Sequence, residues 1–465
     1  MSALIDPLPP SSRPRAESNG CLAFAAPRRV RVGLLGLGNV AQQVVRSAQA
    51  AASLLARRGI ELHFVAALVR DANRERSALL PGARVTADRL EFFTHEFDLV
   101  IEALGGVEPA AGFVRALLRR GVPVVTANKS LLAAHGPELF ELARRRGVTL
   151  RGEASVLAGV PFLESLARRP LLAQASALRG ILNGTSNFVL SQMRAWGVSL
   201  SQALVAAQRA GLAEPDARAD VSGRDAAEKL IVLLTYLGVR GVAREALEVR
   251  GIDRLNATDL RQAAALGGAI RPVVCARLIE DRVEAFVGPA LVRFGSKLAD
   301  VDGAQNALEL HSVHAGSVLF AGPGAGPVPT AATILDDVWS VLGEERGADA
   351  WPEAVRTVTP VACATPWLLR FELHNPETRF TDIYNHLESA GLAVLQVCGA
   401  PPGQRRPSSV RVITGVHARA EIDAALRTFT DATGDETLAI RVLEAESHAN
   451  FATDGCSALS TLEAT

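Results

Sequence analysis

A run of charged residues from Gly211 to Lys229 carries the strongest chemical signal in this sequence. It places five carboxylates and one lysine around a short turn that contains proline and glycine. Asp225 and Lys229 are four residues apart, so a helix would bring both side chains to the same face. Carboxylates suit a ligand that has an ammonium group, and a lysine among them can exchange a proton with a hydroxyl or a carbonyl oxygen.

The alternative to a site is an exposed loop followed by a surface Asp–Lys pair. Residues 226–234 are apolar except for Glu228 and Lys229. A helix of this composition does not lie free on a surface. The pattern therefore favours a charged site at the mouth of a buried helix.

A second motif, Gly-Leu-Gly-Asn-Val-Ala at 36–41, lies between a strand candidate at 29–35 and an amphipathic helix pattern. Gly36 allows a tight turn, Gly38 lets the backbone approach a pyrophosphate, and Ala41 is small enough for close helix packing. The helix N-terminus faces the phosphates. The motif predicts a dinucleotide site formed by Gly36, Leu37, Gly38, Asn39 and Val40.

The residue that follows the second strand candidate, Leu62 to Val69, bears on the choice of dinucleotide. Arg70 can pair with the 2′-phosphate of NADP, whereas an acid at this place hydrogen-bonds the ribose 2′-hydroxyl of NAD. Arg70 therefore favours NADP, and Asp71 leaves NAD open.

Strand and helix candidates alternate over the first 150 residues, which predicts a doubly wound parallel sheet. The middle third mixes helical and strand-like segments. Residues 368–442 follow the order strand, helix, strand, strand, helix, strand, which is typical of a ferredoxin-like module. The predicted fold class is α/β: a Rossmann-type doubly wound parallel sheet, an α+β domain and a C-terminal ferredoxin-like module.

Composition argues against several other classes of protein. Lys plus Arg equal Asp plus Glu at 49 each, and no basic block occurs, so no nucleic-acid partner is expected. The apolar runs are too short for a membrane span. Five cysteines, odd in number and far apart, indicate reduced thiols in a cytoplasmic protein. The first 28 residues lack the apolar core of a secretory signal and are predicted to be a disordered tail.

Several blocks of the sequence are similar, in order, to one family. They are residues 32–40, 100–109, 126–129, 153–161, 180–187, 211–230 and 322–330. On these blocks the chain resembles homoserine dehydrogenase over about residues 30–342. Because no aspartate-kinase region precedes them, it resembles the monofunctional form.

The resemblance implies NAD(P)-dependent interconversion of L-homoserine and L-aspartate 4-semialdehyde, on the biosynthetic branch toward threonine, methionine and isoleucine. It also implies a homodimer or homotetramer. The expected organisation is a nucleotide domain at 29–156 plus 319–345, a substrate and dimerisation domain at 157–318, a linker at 346–366, an ACT-like domain at 367–445 and a flexible tail at 446–465.

The resemblance assigns roles to residues by position. Lys229 is implied to be the proton donor or base at the substrate oxygen, with Asp220 orienting it and Lys129 beside the nicotinamide. Residues implied to bind the substrate are Glu214, Asp225, Gly184 and Thr185. Gly105, Lys129, Gly211 and Gly322 thereby join Arg70 and the glycine motif in the expected cofactor set. A monovalent-cation site (sodium or potassium) is implied at Glu153 and the backbone carbonyls of Val156, Ala158 and Val160.

Some of these assignments have alternatives. Desolvation disfavours the ammonium form of Lys229 while Asp225 and Asp220 favour it, and Lys129 is the other candidate for proton transfer. Glu153 is alternatively a helix N-terminal acid.

Thr185, Ser186 and Asn187 also have two possible roles. They can donate hydrogen bonds to a substrate carboxylate, or they can cap a helix that begins at Phe188; capping is preferred.

The C-terminal module resembles an ACT domain, which in this family often binds threonine. Such domains usually carry Asp-x-Pro-Gly after the first strand, and this chain has His-Asn-Pro-Glu-Thr at 374–378 instead. Threonine binding and a purely dimer-forming module therefore both remain open.

Two other functions are weighed against this one. An aldehyde dehydrogenase that acts through a thiohemiacetal needs a cysteine near the cofactor, and none lies between Cys21 and Cys275. A non-catalytic dinucleotide- and amino-acid-sensing protein on the same fold would have little need of Lys229.

Overall fold

The computed structural model describes residues 27–72, 80–343, 356–375, 377–398 and 408–444. Nearly all of the two predicted tails, 1–28 and 446–465, and the first part of the predicted linker lie outside these residues.

The N-terminal part is a sheet flanked by helices. Its central strands read as apolar runs because both of their faces are buried; Leu99, Val100 and Ile101 are all fully buried. The strands are β1 Arg28–Leu35, β2 Ile60–Leu68, β3 Arg84–Thr86, β4 Leu99–Glu102, β5 Val124–Thr126 and β6 Leu150–Arg151. The helices are α1 Asn39–Ala50, α2 Ala52–Arg57, α3 Arg89–Phe92, α4 Ala110–Arg119 and α5 Lys129–Arg146.

These strands lie in the order β3-β2-β1-β4-β5-β6, and each neighbouring pair is parallel. The predicted doubly wound parallel sheet is thereby confirmed. The strand order reverses between β1 and β4, and ligands of such sheets bind outside the carboxyl ends of the strands at that point.

The middle part adds mostly antiparallel strands with helices on them. The helices are α6 Leu163–Ala167, α7 Pro170–Ala173, α8 Gly184–Trp196, α9 Leu200–Arg209, α10 Arg218–Val221, α11 Arg224–Tyr236 and α12 Ala257–Ala265. The strands are β7 Ala175–Ile181, β8 Val239–Arg240, β9 Glu248–Val249, β10 Gly268–Ile279, β11 Arg282–Arg293, β12 Gln305–Ser312 and β13 Gly316–Pro323.

After β13 the chain returns to the first sheet as helix α13, Pro327–Leu342. Ile334 and Val338 of α13 share a core with Val44 and Val45 of α1. This packing attaches α13 to the first sheet, together with the glycine-rich connection of Gly324, Ala325 and Gly326 that precedes it.

The C-terminal module has the predicted order of elements. They are β14 Arg356–Thr357 and β15 Thr359–Val361, which precede it, and then β16 Thr365–Glu372, α14 Phe380–Ser389, β17 Val394–Cys398, β18 Ser409–His417, α15 Arg419–Thr433 and β19 Glu436–Leu443. Its strands lie side by side as β19-β16-β18-β17 in antiparallel pairs, a ferredoxin-like arrangement.

The module does not have a sheet of its own. Because β19 pairs in parallel with β11, the described residues form one eleven-stranded sheet along the path β13-β12-β7-β10-β11-β19-β16-β18-β17, with β9 and β15 also on β11. A buried carboxylate, Asp259 of α12, accepts hydrogen bonds from Arg370 of β16 and Arg411 of β18 across this junction.

The described part of the predicted linker, 356–366, is therefore not a free connection. Strand β14 pairs with β8, β15 pairs with β11, and β16 already begins at Thr365. Instead of a linker between two independent modules, this segment forms strands that pair with strands of the middle part.

Among the described residues, no helix combines the length and the apolar character that crossing a lipid bilayer requires.

Candidate active site

Three helix N-termini meet at the centre of the candidate site. Lys129 is the first residue of α5, Asn183 caps α8, and Asp225 lies in the first turn of α11. Lys129 Nζ lies 3.1 Å from one oxygen of the Asp225 carboxylate, and Lys229 Nζ lies 3.1 Å from the other. Asp225 and Lys229 are both buried, so they are not the surface pair that was the alternative.

The two lysines determine the charge on Asp225. Burial alone would raise the pKa of this carboxyl, but the Lys229 and Lys129 ammonium groups, with a hydrogen bond from Asn183, lower it to about 2. Burial would likewise lower the pKa of Lys129, but the carboxylates of Asp225, Glu228 and Asp220 outweigh burial and raise it. Asp225 and Lys129 are consequently both charged at neutral pH.

Lys229 has a second fixed partner besides Asp225. Its Nζ donates a hydrogen bond of 2.7 Å to the backbone carbonyl of Leu182, at the end of the chain segment that leads into α8. An ammonium group has three protons to donate. Two of them are accounted for by Asp225 and Leu182, which leaves one for a ligand oxygen.

Asn183 connects the acids of the charged run to α8. Its Nδ2 donates to Asp220 Oδ1 (2.6 Å) and to Asp225 Oδ2 (2.8 Å), while its Oδ1 accepts the Ser186 N–H. Burial raises the pKa of Asp220, although the Asn183 amide acts against that rise. Asn183 is not among the predicted site residues, although an asparagine directly before a helix is a recognisable N-cap signal.

The predicted start of α8 was wrong by one turn. The helix begins at Gly184 rather than at Phe188, and Asn183 takes the capping role that was predicted for the three residues after Gly184. The reason is that an asparagine side chain reaches its own N3 amide, whereas residues inside the first turn cannot cap it.

Thr185, Ser186 and Asn187, which do not cap α8, make other contacts. Thr185 Oγ1 donates to the Leu212 carbonyl and Ser186 Oγ to the Asp220 carbonyl, so both bind the charged run to α8. The Asn187 amide donates to the carbonyls of Val301 and Gln305. Gly184 packs so closely that a Cβ there would lie 2.7 Å from the Ala304 carbonyl oxygen.

Two other acids of the charged run lie outside the cluster. Glu214 and Asp216 are exposed on the loop between α9 and α10, and Asp216 pairs with Arg218 at 2.6 Å. Gly211, where this loop begins, has a φ of 70° and is also exposed. The structure thus brings Asp220, Asp225 and Lys229 together and leaves Glu214 at the rim.

The carboxyl edge of the first sheet fits a dinucleotide. Gly36 has a φ of 94°, and a Cβ there would lie 2.7 Å from the Ala103 carbonyl oxygen, so the turn requires glycine. A Cβ added to Gly38 or to Gly105 would meet no atom within 4 Å, so both stretches of backbone face open space. Helix α1 has no side-chain cap, which leaves its first N–H groups able to bind a phosphate. Arg70 is exposed at the end of β2.

Glu102 is a fully buried acid that is not among the predicted site residues. At the end of β4 it accepts hydrogen bonds from Leu104 N (2.8 Å), Thr126 Oγ1 (2.5 Å) and Asn128 Nδ2 (3.2 Å). Burial raises the pKa of its carboxyl. Because Asn128 caps α5, Glu102 helps to fix the turn from which Lys129 projects.

Glu153, the proposed cation ligand, is buried and accepts three backbone N–H groups, those of Phe162, Leu163 and Glu164. Burial raises the pKa of its carboxyl to about 6, although these hydrogen bonds act against the rise. These N–H groups belong to the start of α6, so Glu153 is the N-terminal acid of α6, which is the alternative to a cation ligand, and it does not cap the short 3-10 turn that it begins.

Two of the other predicted cation ligands, Ala158 and Val160, lie against α13 and β13, on either side of the glycine-rich connection. The Ala158 carbonyl accepts the Thr333 hydroxyl, and a Cβ on Gly322 would lie 2.9 Å from Val160. Ala158 has a φ of 44°, in the left-handed region that favours glycine.

Within the part of the chain that the structure describes, no group of three or more His, Cys, Asp and Glu side chains is placed to hold a metal ion. A cation at 153–160 would therefore depend on backbone carbonyls together with Glu153.

Comparison with known families gives two consecutive matches. The family model for the homoserine dehydrogenase NAD-binding domain matches residues 36–153, and the model for homoserine dehydrogenase matches residues 161–339. Together they cover more than half of the chain.

Curated relatives agree with these matches. The homoserine dehydrogenase of Synechocystis sp. is 35% identical over 332 residues, which are 70% of this chain and 76% of the relative. The homoserine dehydrogenase of Bacillus subtilis is 29% identical over 413 residues, 87% of this chain and 95% of that one.

Solved structures are similar over most of the chain. A homoserine dehydrogenase from Thiobacillus denitrificans has a TM-score of 0.80 and 31% identity, covering 91% of this chain and all of that one. The S. aureus homoserine dehydrogenase has a TM-score of 0.71 and 26% identity, with 90% and 99% covered. A hyperthermophilic archaeal homoserine dehydrogenase in complex with NADPH, 22% identical with a TM-score of 0.55, shares the fold. The alternative of a non-catalytic sensor finds no support in these similarities.

Proposed function

The chain belongs to the homoserine dehydrogenase family, and on that premise we propose how its residues divide the reaction. It is an NAD(P)-dependent oxidoreductase that interconverts L-homoserine and L-aspartate 4-semialdehyde. The bound nicotinamide supplies or accepts the hydride. The protein's own residues must bind the amino acid, orient its reacting carbon and move one proton.

Lys229 is the residue proposed to move the proton. The observation that carries this assignment is the convergence of Lys229 and Lys129 on one buried carboxylate, Asp225, at 3.1 Å each. The raised pKa of Lys129 keeps it an ammonium ion, which makes it a poor base but a suitable electrostatic partner for a developing alkoxide. Asp220 orients the cluster through Asn183.

The amino acid is proposed to bind between the charged run and the start of α8. Glu214 and Asp225 supply negative charge for its ammonium group. Gly184 and Thr185 lie in the first turn of α8, where the positive end of the helix dipole suits a carboxylate.

The dinucleotide is proposed to bind along the carboxyl edge of the first sheet. Residues proposed to hold it are Gly36, Leu37, Gly38, Asn39, Val40, Arg70, Gly105, Lys129, Gly211 and Gly322. Support comes from the open backbone at Gly38 and Gly105 and from the uncapped start of α1. Arg70 favours NADP over NAD because its guanidinium matches a 2′-phosphate.

The experiment that tests this division is the Lys229→Ala variant. Its kcat should fall by about 10²–10⁴-fold, because a positioned acid–base group contributes on that scale. The dissociation constant for NADPH, measured by fluorescence titration, should stay near the wild-type value. Added primary amines should restore part of the turnover.

Lys297→Ala is the matched control, since Lys297 is exposed on a 3-10 turn far along the chain from the charged run. It should keep the wild-type kcat. Wild-type turnover in Lys229→Ala would rule out the proton-transfer role.

A monovalent cation, sodium or potassium, is proposed at Glu153 with the carbonyls of Val156, Ala158 and Val160. Oxygen donors suit such hard cations. Burial raises the pKa of Glu153, so its ionisation is costly. A nearby positive charge would lower that cost.

The C-terminal module is proposed to be architectural rather than a threonine sensor. The carboxylate of Asp435 accepts the backbone N–H groups of His374 and Asn375, at 2.7 and 2.8 Å, in the loop where an ACT domain binds its amino acid. An internal carboxylate thus occupies donors that an amino-acid ligand would need.

Assembly as a homodimer or homotetramer is proposed on the two edges of the large sheet. Strands β13 and β17 form these edges among the described residues, and Leu395 and Val397 of β17 are exposed. Exposed apolar edge strands favour pairing with another chain.

A further inference from the structure

Asn306 of β12 is fully buried and contacts the acceptor of the Lys229 ammonium group. Its Nδ2 donates to the Leu182 carbonyl at 3.2 Å, the same oxygen that accepts Lys229 Nζ at 2.7 Å. The second Nδ2 proton goes to the Gly324 carbonyl at 3.3 Å. One amide therefore bonds both to the backbone that holds the lysine and to the glycine-rich connection.

The orientation of this amide is fixed by its partners. Two carbonyl oxygens face it, so only the NH₂ end can be directed at them. Gly324 lies flat against the amide, and a Cβ there would be 2.1 to 2.3 Å from its atoms. No other residue type fits at Gly324 without moving Asn306.

We propose that Asn306 is a positioning residue for Lys229, which fixes the Leu182 carbonyl and ties it to the glycine-rich connection at Gly324. The proposal rests on the proton-transfer role proposed for Lys229. Gly324 is two residues beyond Gly322 of the proposed cofactor set. Asn306 therefore connects the position of the Lys229 ammonium group to the backbone beside the proposed cofactor site.

The consequence for the reaction is geometric. A carbonyl held by two donors keeps the Lys229 ammonium group at one place relative to the substrate oxygen. Displacement of a reacting group by about 1 Å can cost on the order of 100-fold in rate. Asp225, Asp220 and Lys129 are the other charged groups around Lys229, and none of them contacts the Asn306 amide by a hydrogen bond in the described residues.

The test is Asn306→Asp, which keeps the shape of the side chain and removes donors from both carbonyls. Since Nδ2 and Lys229 Nζ share one acceptor, a carboxylate at 306 would lie within about 6 Å of the ammonium group and favour its charged form. For homoserine oxidation, which needs the neutral amine, the acidic limb of the kcat–pH profile should move to higher pH, or kcat should fall at least about tenfold. The KM for homoserine and the dissociation constant for NADPH should change little.

Asn187→Asp is the matched control. Asn187 is also fully buried, also donates to two backbone carbonyls (Val301 and Gln305), and also has an Oδ1 without a partner among the described residues. It contacts neither Leu182 nor Gly324 by these bonds, so its pH limb should coincide with that of the wild type.

Asn306→Ser, which keeps a single donor, provides a second variant if the aspartate does not fold, and its kcat should be reduced with KM preserved. Wild-type kcat and pH limb in the Asn306 variant, or equal losses in the Asn187 control, would overturn the proposal. If Lys229→Ala loses turnover while Asn306 variants behave as wild type, only the Asn306 role fails. If Lys229→Ala retains turnover, the proposed function of the lysine fails first.

Discussion

Asp225 carries a full negative charge although it is only 8% exposed. Burying an unpaired carboxylate costs several kcal/mol, and here two ammonium groups and one amide donor offset that cost. Removal of any one of these partners leaves the Asp225 carboxylate less fully compensated. The electrostatic integrity of the site therefore depends on Lys129, Asn183 and Lys229 together.

Arg70 is the residue on which the choice of dinucleotide is expected to depend. Arg70→Ala should raise the KM for NADPH by about 10- to 100-fold. This is the loss of affinity expected when a charge-assisted hydrogen bond to a phosphate is removed. The KM for NADH should stay near its wild-type value, because NADH has no 2′-phosphate. Steady-state kinetics with both dinucleotides and saturating aspartate semialdehyde measure this.

The KM of the Arg70→Ala variant for NADH is the internal control for damage to the fold. If the two KM values rise together, Arg70 acts on the site as a whole and does not select the 2′-phosphate.

Helix N-termini are the elements that build the site. The starts of α5, α8 and α11 converge, so three positive dipole ends surround Asp225 and the proposed substrate position. Glu102 holds the first of these starts through Asn128, and Asn183 holds the second. An amino acid with a carboxylate and an ammonium group matches this combination of helix ends and acidic side chains.

The segment from Glu153 to Val160 gives a prediction about cations. The folded pKa of Glu153, about 6, lies above its ordinary value of 4.5, so ionisation destabilises the fold as pH rises from about 4.5 to 6 and fully above that. A bound cation would offset this loss. At pH 8 the melting temperature should be higher in sodium or potassium chloride than in choline chloride of equal ionic strength, by a few degrees.

In Glu153→Gln this difference between salts should disappear. Glu164→Gln is the control, because Glu164 is a neighbouring acid whose side chain pairs with Arg168 at 3.0 Å. Equal melting temperatures of the wild type in the three salts would contradict the cation site.

At the scale of the whole molecule, the C-terminal module and the middle part share one sheet and one hydrophobic core. Val189, Leu190 and Met193 of α8 share a core with strand residues of the module, Leu368 and Ile440 among them. The module thus supports α8, the helix whose N-terminus forms part of the proposed active site. The buried Asp259–Arg370–Arg411 cluster adds a polar connection across the same junction.

Because the C-terminal module is proposed to be architectural, we expect threonine to have no effect on the protein. A large excess of threonine should change neither the rate of NADPH oxidation with aspartate semialdehyde nor the mass measured by light scattering. That mass should be twice or four times the 49.0 kDa of the chain. Calorimetric titration with threonine should give no heat of binding, because Asp435 already occupies the His374 and Asn375 donors.

Serine, a close analogue, controls for non-specific effects of amino acids. Inhibition by threonine but not by serine would show that the module is a sensor, and a monomeric mass would contradict the proposed assembly at the sheet edges.

The sequence by itself determined the periodic features and the family. Apolar strands alternating with helices required the doubly wound sheet, glycine at 36 and 38 marked its ligand edge, and the 211–229 spacing placed Asp225 and Lys229 on one face of a buried helix. These features depend on local geometry, which neighbouring residues dictate.

Only the tertiary structure decided which distant groups meet. Asn306 shares a carbonyl with Lys229 from 77 positions away in the chain, Glu102 fixes the start of α5, and β19 joins β11 in one sheet. Each contact exists because packing brings remote backbone groups within hydrogen-bonding distance, and a buried polar group must find a partner wherever the fold provides one. No local pattern of residues encodes that choice.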